Sequence, residues 1–238
     1  MSYYDFPQYV SAAEKKAKAA KTIEKLRKKN QDIEPVIIEG RTIAKTWWGK
    51  AWNQNLESYA DYSNRISRGR SYVRNGAVLD LKISKGTVDA LVQGSGVKPY
   101  SVNIRLDTLG REKWNKVIAL CNHRIDTLEQ LVEGRFPKEL EVLFTEKKYG
   151  LFPSPKEIHF NCSCPDWASM CKHVAAVLYG IGARLDTNPM LFFELRELDG
   201  QELVKKSMER KLDNMLKNAG TKSKRQISEE DVFEIFGI

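Results

Sequence analysis

Four residues of metal-binding type fall within twelve positions of this chain: Cys162, Cys164, Cys171 and His173, in the stretch Cys162-Ser-Cys-Pro-Asp-Trp-Ala-Ser-Met-Cys-Lys-His173. Thiolates and imidazoles are the donors that structural zinc prefers, four of them in a tetrahedron. One residue separates the members of each pair, six residues separate the pairs, and Pro165 stiffens the loop between them. The chain has only four cysteines and three histidines, so this density points to a metal, zinc first, with iron–sulfur or copper as alternatives. Four protein donors leave no position open for water, which favours a structural role over Lewis-acid catalysis. Around the donors, Asp166 is placed to accept from the loop backbone or from the free nitrogen of His173, and Lys172 to offset the charge of the thiolates. Trp167 is expected to pack on the apolar helix that follows.

The remaining cysteine, Cys121, lies in an apolar stretch and reads as a small core residue. Clustered cysteines argue against a secreted disulfide framework, which would scatter them. No apolar run approaches the roughly 20 residues of a membrane span, and the opening MSYYDFPQYV lacks the order of a secretory signal. A cytoplasmic protein with no membrane partner is the expectation. Neither His123 nor His159 has a local serine or cysteine nucleophile that suggests a triad, and no phosphate-cradling glycine loop occurs, so no enzyme and no small-molecule substrate are expected.

The net charge of +8 is unevenly distributed. Residues 11–30 carry +6, residues 65–74 carry four arginines and no acid, and residues 201–225 carry +5, which leaves the other 183 residues at −7. Concentrated positive charge suits a polyanion. Arg65, Arg68, Arg70 and Arg74, with Tyr72 among them and Lys172 beside the cysteines, are the candidate nucleic-acid contacts, because guanidinium matches phosphate bidentately and tyrosine stacks on bases. The alternative is that these arginines pair with acids elsewhere in the fold, such as Asp80 or Asp89.

The elements that must position these residues follow from local pattern. Ser11 and Glu14 form a capping box ahead of an Ala/Lys/Glu-rich helix, either docked through Ala13, Ala17, Ala20, Ile23 and Leu26 or left as a solvated arm. Trp48, Trp52, Leu56 and Tyr59 share one helix face. Three β-rich runs, residues 77–83, 87–93 and 100–106, predict an antiparallel meander. Helical spacing through Trp114, Val117, Ile118 and Cys121, then Ile125, Leu128, Leu131 and Val132, predicts a helical hairpin, and a short strand at 157–160 delivers the first cysteine. Residues 174–184 read as a buried helix, and Ser228 caps a short C-terminal one. The fold class is therefore α+β, an antiparallel β-meander with helices followed by a zinc finger and a helical C-terminal region. Its expected segments are a basic arm (1–34), an α+β domain (35–150), the zinc finger (151–200) and a basic tail (201–238).

The spacing Cys-x-Cys-x6-Cys-x-His, with its flanking Cys-Pro-Asp-Trp and Cys-Lys-His-Val-Ala-Ala-Val-Leu-Tyr, resembles the SWIM zinc finger. The wider chain resembles bacterial SWIM zinc finger proteins over most of residues 11–200, including Thr46-Trp-Trp-Gly-Lys-Ala-Trp52, the stretch from Arg68 to Gly76 and Gly150-Leu-Phe-Pro-Ser-Pro155. That resemblance implies Zn2+ on Cys162, Cys164, Cys171 and His173 and no catalytic activity. It also implies DNA as a partner, with RNA the other possibility, and an accessory role beside a SWI/SNF-type ATPase. A protein-interaction adaptor whose finger is purely structural is the alternative.

Overall fold

The computed structural model describes residues 10–29, 32–58, 63–120, 141–146 and 150–218. Tyr59, Cys121, the helical pattern from Ile125 to Val132 and the C-terminal helix expected at Ser228 lie outside the described residues. The first helix, α1 (Ala12–Arg27), begins with the capping box: Ser11 Oγ accepts from Glu14 N at 3.2 Å, and Glu14 returns the bond to Ser11 N at 2.7 Å. The helix is docked. Ala19 is 2% exposed, Lys18 Nζ donates to the carbonyls of Ser95 and Gly96, and Thr22 donates to Gln93. Its contact face is thus Lys18, Ala19, Thr22, Ile23 and Leu26, and the expected Ala13, Ala17 and Ala20 face solvent. Alanine contributes too little apolar area to set helix orientation against the bonds that Lys18 and Thr22 make.

Thr46 caps α2 (Trp47–Glu57), accepting from Gly49 N, and Asp186 binds the same Thr46 hydroxyl and the amides of Lys45 and Thr46. Trp52 is fully buried and donates to Leu178 O at 3.0 Å, while Trp48 donates to Leu185 O at 3.0 Å. An indole in a core needs such an acceptor, and each bond fixes the helix in rotation as well as in place. Residues 63–74 form α3 (Ser63–Arg74), an element that the local pattern did not predict. Ile66, Gly69 and Val73 recur at helical spacing and are buried. Gly69, which looks like a breaker, is what permits the packing.

The sheet consists of β1 (Val78–Ser84), β2 (Thr87–Val92), β3 (Tyr100–Leu106) and β4 (Ile158–Cys162), in that spatial order and antiparallel throughout. A bulge between Val78 and Asp80 lets Val78 and Leu79 both turn inward. Between β3 and β4 come α4 (Arg111–Leu120), which buries Trp114, Val117 and Ile118, and α5 (Glu141–Thr145). β4 pairs Cys162 with Val102, so the first ligand sits on a strand fixed by its neighbour.

After the zinc-type loop, α6 (Lys172–Thr187) runs through the middle of the molecule, touching all four strands on one side and α2 and α3 on the other. Eleven of its sixteen residues are buried, as expected for a helix apolar all round. Two further helices, α7 (Leu191–Leu195) and α8 (Gly200–Asn218), follow. Among the described residues no helix is long and apolar enough to cross a membrane.

Candidate metal centre

Three elements converge on the donors: β4 ends at Cys162, the loop carries Cys164, and Cys171 caps α6, placing His173 in its first turn. One donor atom from each of Cys162, Cys164, Cys171 and His173 lies within 4.8 Å of every other. His173 Nδ1 is 3.9 Å from Cys162 Sγ and 3.8 Å from Cys171 Sγ. A tetrahedral zinc would set sulfur–nitrogen separations near 3.6 Å and sulfur–sulfur separations near 3.8 Å, so adjustments of about 1 Å or less complete the shell.

The state of His173 tests the fit. Its side chain is 2% exposed, Nδ1 has only the sulfurs for company, and buried Nε2 has no hydrogen-bond partner. Tyr100 lies across the ring at 4.6 Å and Tyr72 meets it edge-on at 5.4 Å. Burying an imidazole with no strong bond is unfavourable by several kcal/mol at most, of order 1–3 in proteins, unless something takes its lone pair. A cation among three sulfurs does so. Burial, reinforced by the Lys172 charge, lowers the His173 pKa to about 4, so the ring is neutral and its lone pair available. Burial likewise pushes the Cys162 thiol up to about 12, and it raises Cys171 although the amides of Val174 and His173 oppose this. The pocket therefore favours thiolates only in the presence of a positive charge to hold them. The group can hold a metal ion, and its three sulfurs and one nitrogen are a set consistent with zinc.

Asp166 takes the backbone option: it accepts from Ala168 N at 3.3 Å, and it pairs with Arg65 at 3.0 Å, both side chains largely buried. Trp167, expected to be packed on the apolar helix, is instead 82% exposed. Lys172, half-buried, lies in the first turn of α6.

The arginines separate into two pairs. Arg65 is bound to Asp166, and Arg70 to Glu57 at 2.8 Å and to the Tyr179 hydroxyl at 2.7 Å. Tyr179 in turn donates to Glu57 at 2.6 Å. Pairing with fold acids is thus real for these two, but Asp80 and Asp89 are engaged otherwise, accepting from Glu34 N and from Asn103. Arg68 and Arg74 are exposed and Tyr72 is half-buried between Arg68 and His173. Nothing in the local sequence around Arg65 marks Asp166 or Glu57 as partners; both pairings bridge segments that only the fold brings together.

A protein of Mycobacterium tuberculosis, described as the uncharacterized protein Rv2102, is 35% identical to this chain over 163 residues. The match takes in 68% of this chain and 58% of that protein, so the chain spans under two thirds of its relative's length. No protein-family profile matches the chain, and no solved structure matches it.

Proposed function

We propose that this chain is a non-enzymatic, zinc-binding nucleic-acid-binding protein that works beside a SWI/SNF-type DNA translocase. One observation carries the nucleic-acid reading. The solvent face of α3 presents Asn64, Ser67, Arg68, Ser71 and Arg74 at helical spacing, with no acid on the helix. Phosphate backbones are gripped by just this mixture of arginine with small hydroxyl and amide side chains. The lysines of α1 extend the surface, since Lys16 and Arg74 line one groove between the two helices. Exposed Trp167 directly follows Asp166, which Arg65 ties to α3, within the same loop as the donors.

In this reading zinc on Cys162, Cys164, Cys171 and His173 holds the loop and the start of α6, while Arg65 couples that loop to α3. The translocase partnership is supported only by the SWIM resemblance of the motif. The absence of an enzymatic role is supported by four protein donors filling a tetrahedron and by His159 being engaged with Asp107 at 2.9 Å. The test is binding of labelled DNA across a salt series. Affinity should fall steeply with salt, and Arg68→Ala with Arg74→Ala should flatten the log–log slope by about 2. A slope near zero in the parent protein would refute the reading.

A second reading, the protein-interaction adaptor, has one observation in its favour. Met208, Leu212, Met215 and Leu216 form an exposed apolar stripe along α8, each more than half exposed. Co-purification of the translocase that survives Arg68→Ala/Arg74→Ala but is lost with Leu212→Asp/Leu216→Asp would favour it.

A further inference from the structure

Between α1, α3 and the chain leaving β2 lies a cavity of about 240 Å³, its wall mostly apolar. Tyr72 forms part of that wall and also meets His173 edge-on, so the candidate metal centre holds the ring in place. Lys15 and Lys18 line the cavity, and none of the described residues that line it is acidic. Lys18 is held by the Ser95 and Gly96 carbonyls at 2.9 and 3.0 Å, which fixes its charge there. The Asn75 side-chain nitrogen makes a long 3.3 Å contact to Ser71 Oγ, and among the described residues its carbonyl oxygen has no donor, so it can serve as an acceptor.

Size, charge and wall chemistry narrow the ligand. Pockets for drug-sized molecules run from about 300 to 1,000 Å³, so this one suits a single ring system. Two ammonium groups, with no carboxylate among the described lining residues, suit an anion, whereas the aromatic and aliphatic wall suits a flat apolar face. A nucleotide has both. In a duplex the base faces are stacked and the edges paired, so only an unpaired base can enter. We propose that this cavity receives one unpaired nucleobase, set against Tyr72 with its edge toward Asn75, while the adjoining phosphates follow Lys15 and the solvent face of α3. The proposal rests on the nucleic-acid reading above and adds to it a preference for single strands. DNA and RNA share this chemistry.

The test uses the full metal-loaded chain and three probes of equal length: oligothymidylate, oligouridylate and a DNA duplex. Ser71 is exposed at the cavity, so Ser71→Phe should fill the space without touching the core. The expected result is tighter binding of single strands than of duplex, with Ser71→Phe weakening single-strand binding about tenfold, the scale of one lost stacking contact, and weakening duplex binding, which loses only the Ser71 hydroxyl, markedly less. Either oligonucleotide behaving so supports the proposal, and their ratio names the sugar. Equal binding of strand and duplex, or a Ser71→Phe effect that is equal on both, overturns the base pocket while the nucleic-acid reading stands. No binding to any probe at low salt overturns both. Should Ser71→Phe fail to fold, 2-aminopurine placed in the oligonucleotide decides: quenching on binding that is reduced by Asn75→Ala supports the pocket, and unchanged fluorescence overturns it.

Discussion

Replacing Glu157 by glutamine should destabilise the protein near neutral pH, and this loss should vanish in acid. Arg196 is 0% exposed; its guanidinium bonds Glu157 at 2.9 Å and Asp107 O at 2.9 Å, and its Nε has no partner. The other Glu157 oxygen accepts from Ser154 N at 2.8 Å and from Ser154 Oγ at 2.7 Å. Burial would raise the Glu157 pKa, but the bonds from Arg196 and Ser154 outweigh it and bring it from 4.5 to about 2. A shift of that size corresponds to at most about 3.4 kcal/mol, at 1.36 kcal/mol per unit. Glu157 retains 22% exposure, so solvent screening reduces the expected contribution to about 2 kcal/mol. Because the folded pKa is the depressed one, the contribution is complete above about pH 4.5 and is lost as pH falls toward 2. Glutamine keeps an acceptor for Arg196 but removes the charge, so a loss of about 2–3 kcal/mol is expected at pH 7. Urea denaturation of parent and variant, both stripped of metal so that acid release of the ion does not intrude, measures the difference at pH 7 and near pH 2. A difference that persists undiminished near pH 2, or that is absent at pH 7, refutes the reasoning.

Removing metal by chelation should expose the amides of residues 162–173 to hydrogen exchange while β1 to β3 stay protected, since the sheet is bonded independently of the donors; uniform protection before and after would contradict this. Arg65→Ala should weaken metal binding about tenfold in competition with a chromophoric chelator, because Asp166 loses the partner that orders the loop, and unchanged affinity would show the loop to be held otherwise. Gly69→Val should cost about 1–3 kcal/mol in thermal or urea unfolding, as even a Cβ there would lie 2.5 Å from Ala175 Cβ and 3.0 Å from its carbonyl carbon. Ala175→Gly should recover part of that loss, and a failure to do so would place the strain elsewhere.

The donors were legible because the four sit within twelve residues and demand one chemistry, so strand, loop and helix have no freedom to separate them. The meander was legible too, since alternation over Leu79, Leu81 and Ile83 specifies a face without reference to distant partners. Helix α3 was not, and the reason lies in Gly69. Glycine in a polar, arginine-rich stretch reads as a break, yet its value is revealed only when Ala175, more than a hundred positions later, approaches it. The partners of Arg65 and Arg70 were hidden for the same reason: Asp166 and Glu57 become their neighbours only in the folded chain. Trp167 is a miss of another kind, because burial of an aromatic beside an apolar helix is the usual outcome and here the ring is 82% exposed.

The two arginines consumed by the fold explain how the remaining two come to be presented. Arg65 anchors one end of α3 to the loop of the candidate metal centre, and Arg70 anchors its middle to Glu57 and Tyr179. Gly69 brings the helix against α6 between those anchors, and the three contacts together fix its rotation. With rotation fixed, Asn64, Ser67, Arg68, Ser71 and Arg74 are left as exposed side chains of the helix. A phosphate-binding helix needs such rigidity, since a side chain ordered in advance gives up less entropy on binding. A metal bound at this centre would therefore act on the proposed surface at a distance, through the loop that carries Asp166 and through the His173–Tyr72 contact. Donor substitution should accordingly weaken nucleic-acid binding without removing a single positive charge, so affinity drops while the salt slope holds. Arg68→Ala with Arg74→Ala should do the opposite to the slope, and that contrast separates scaffold from contact.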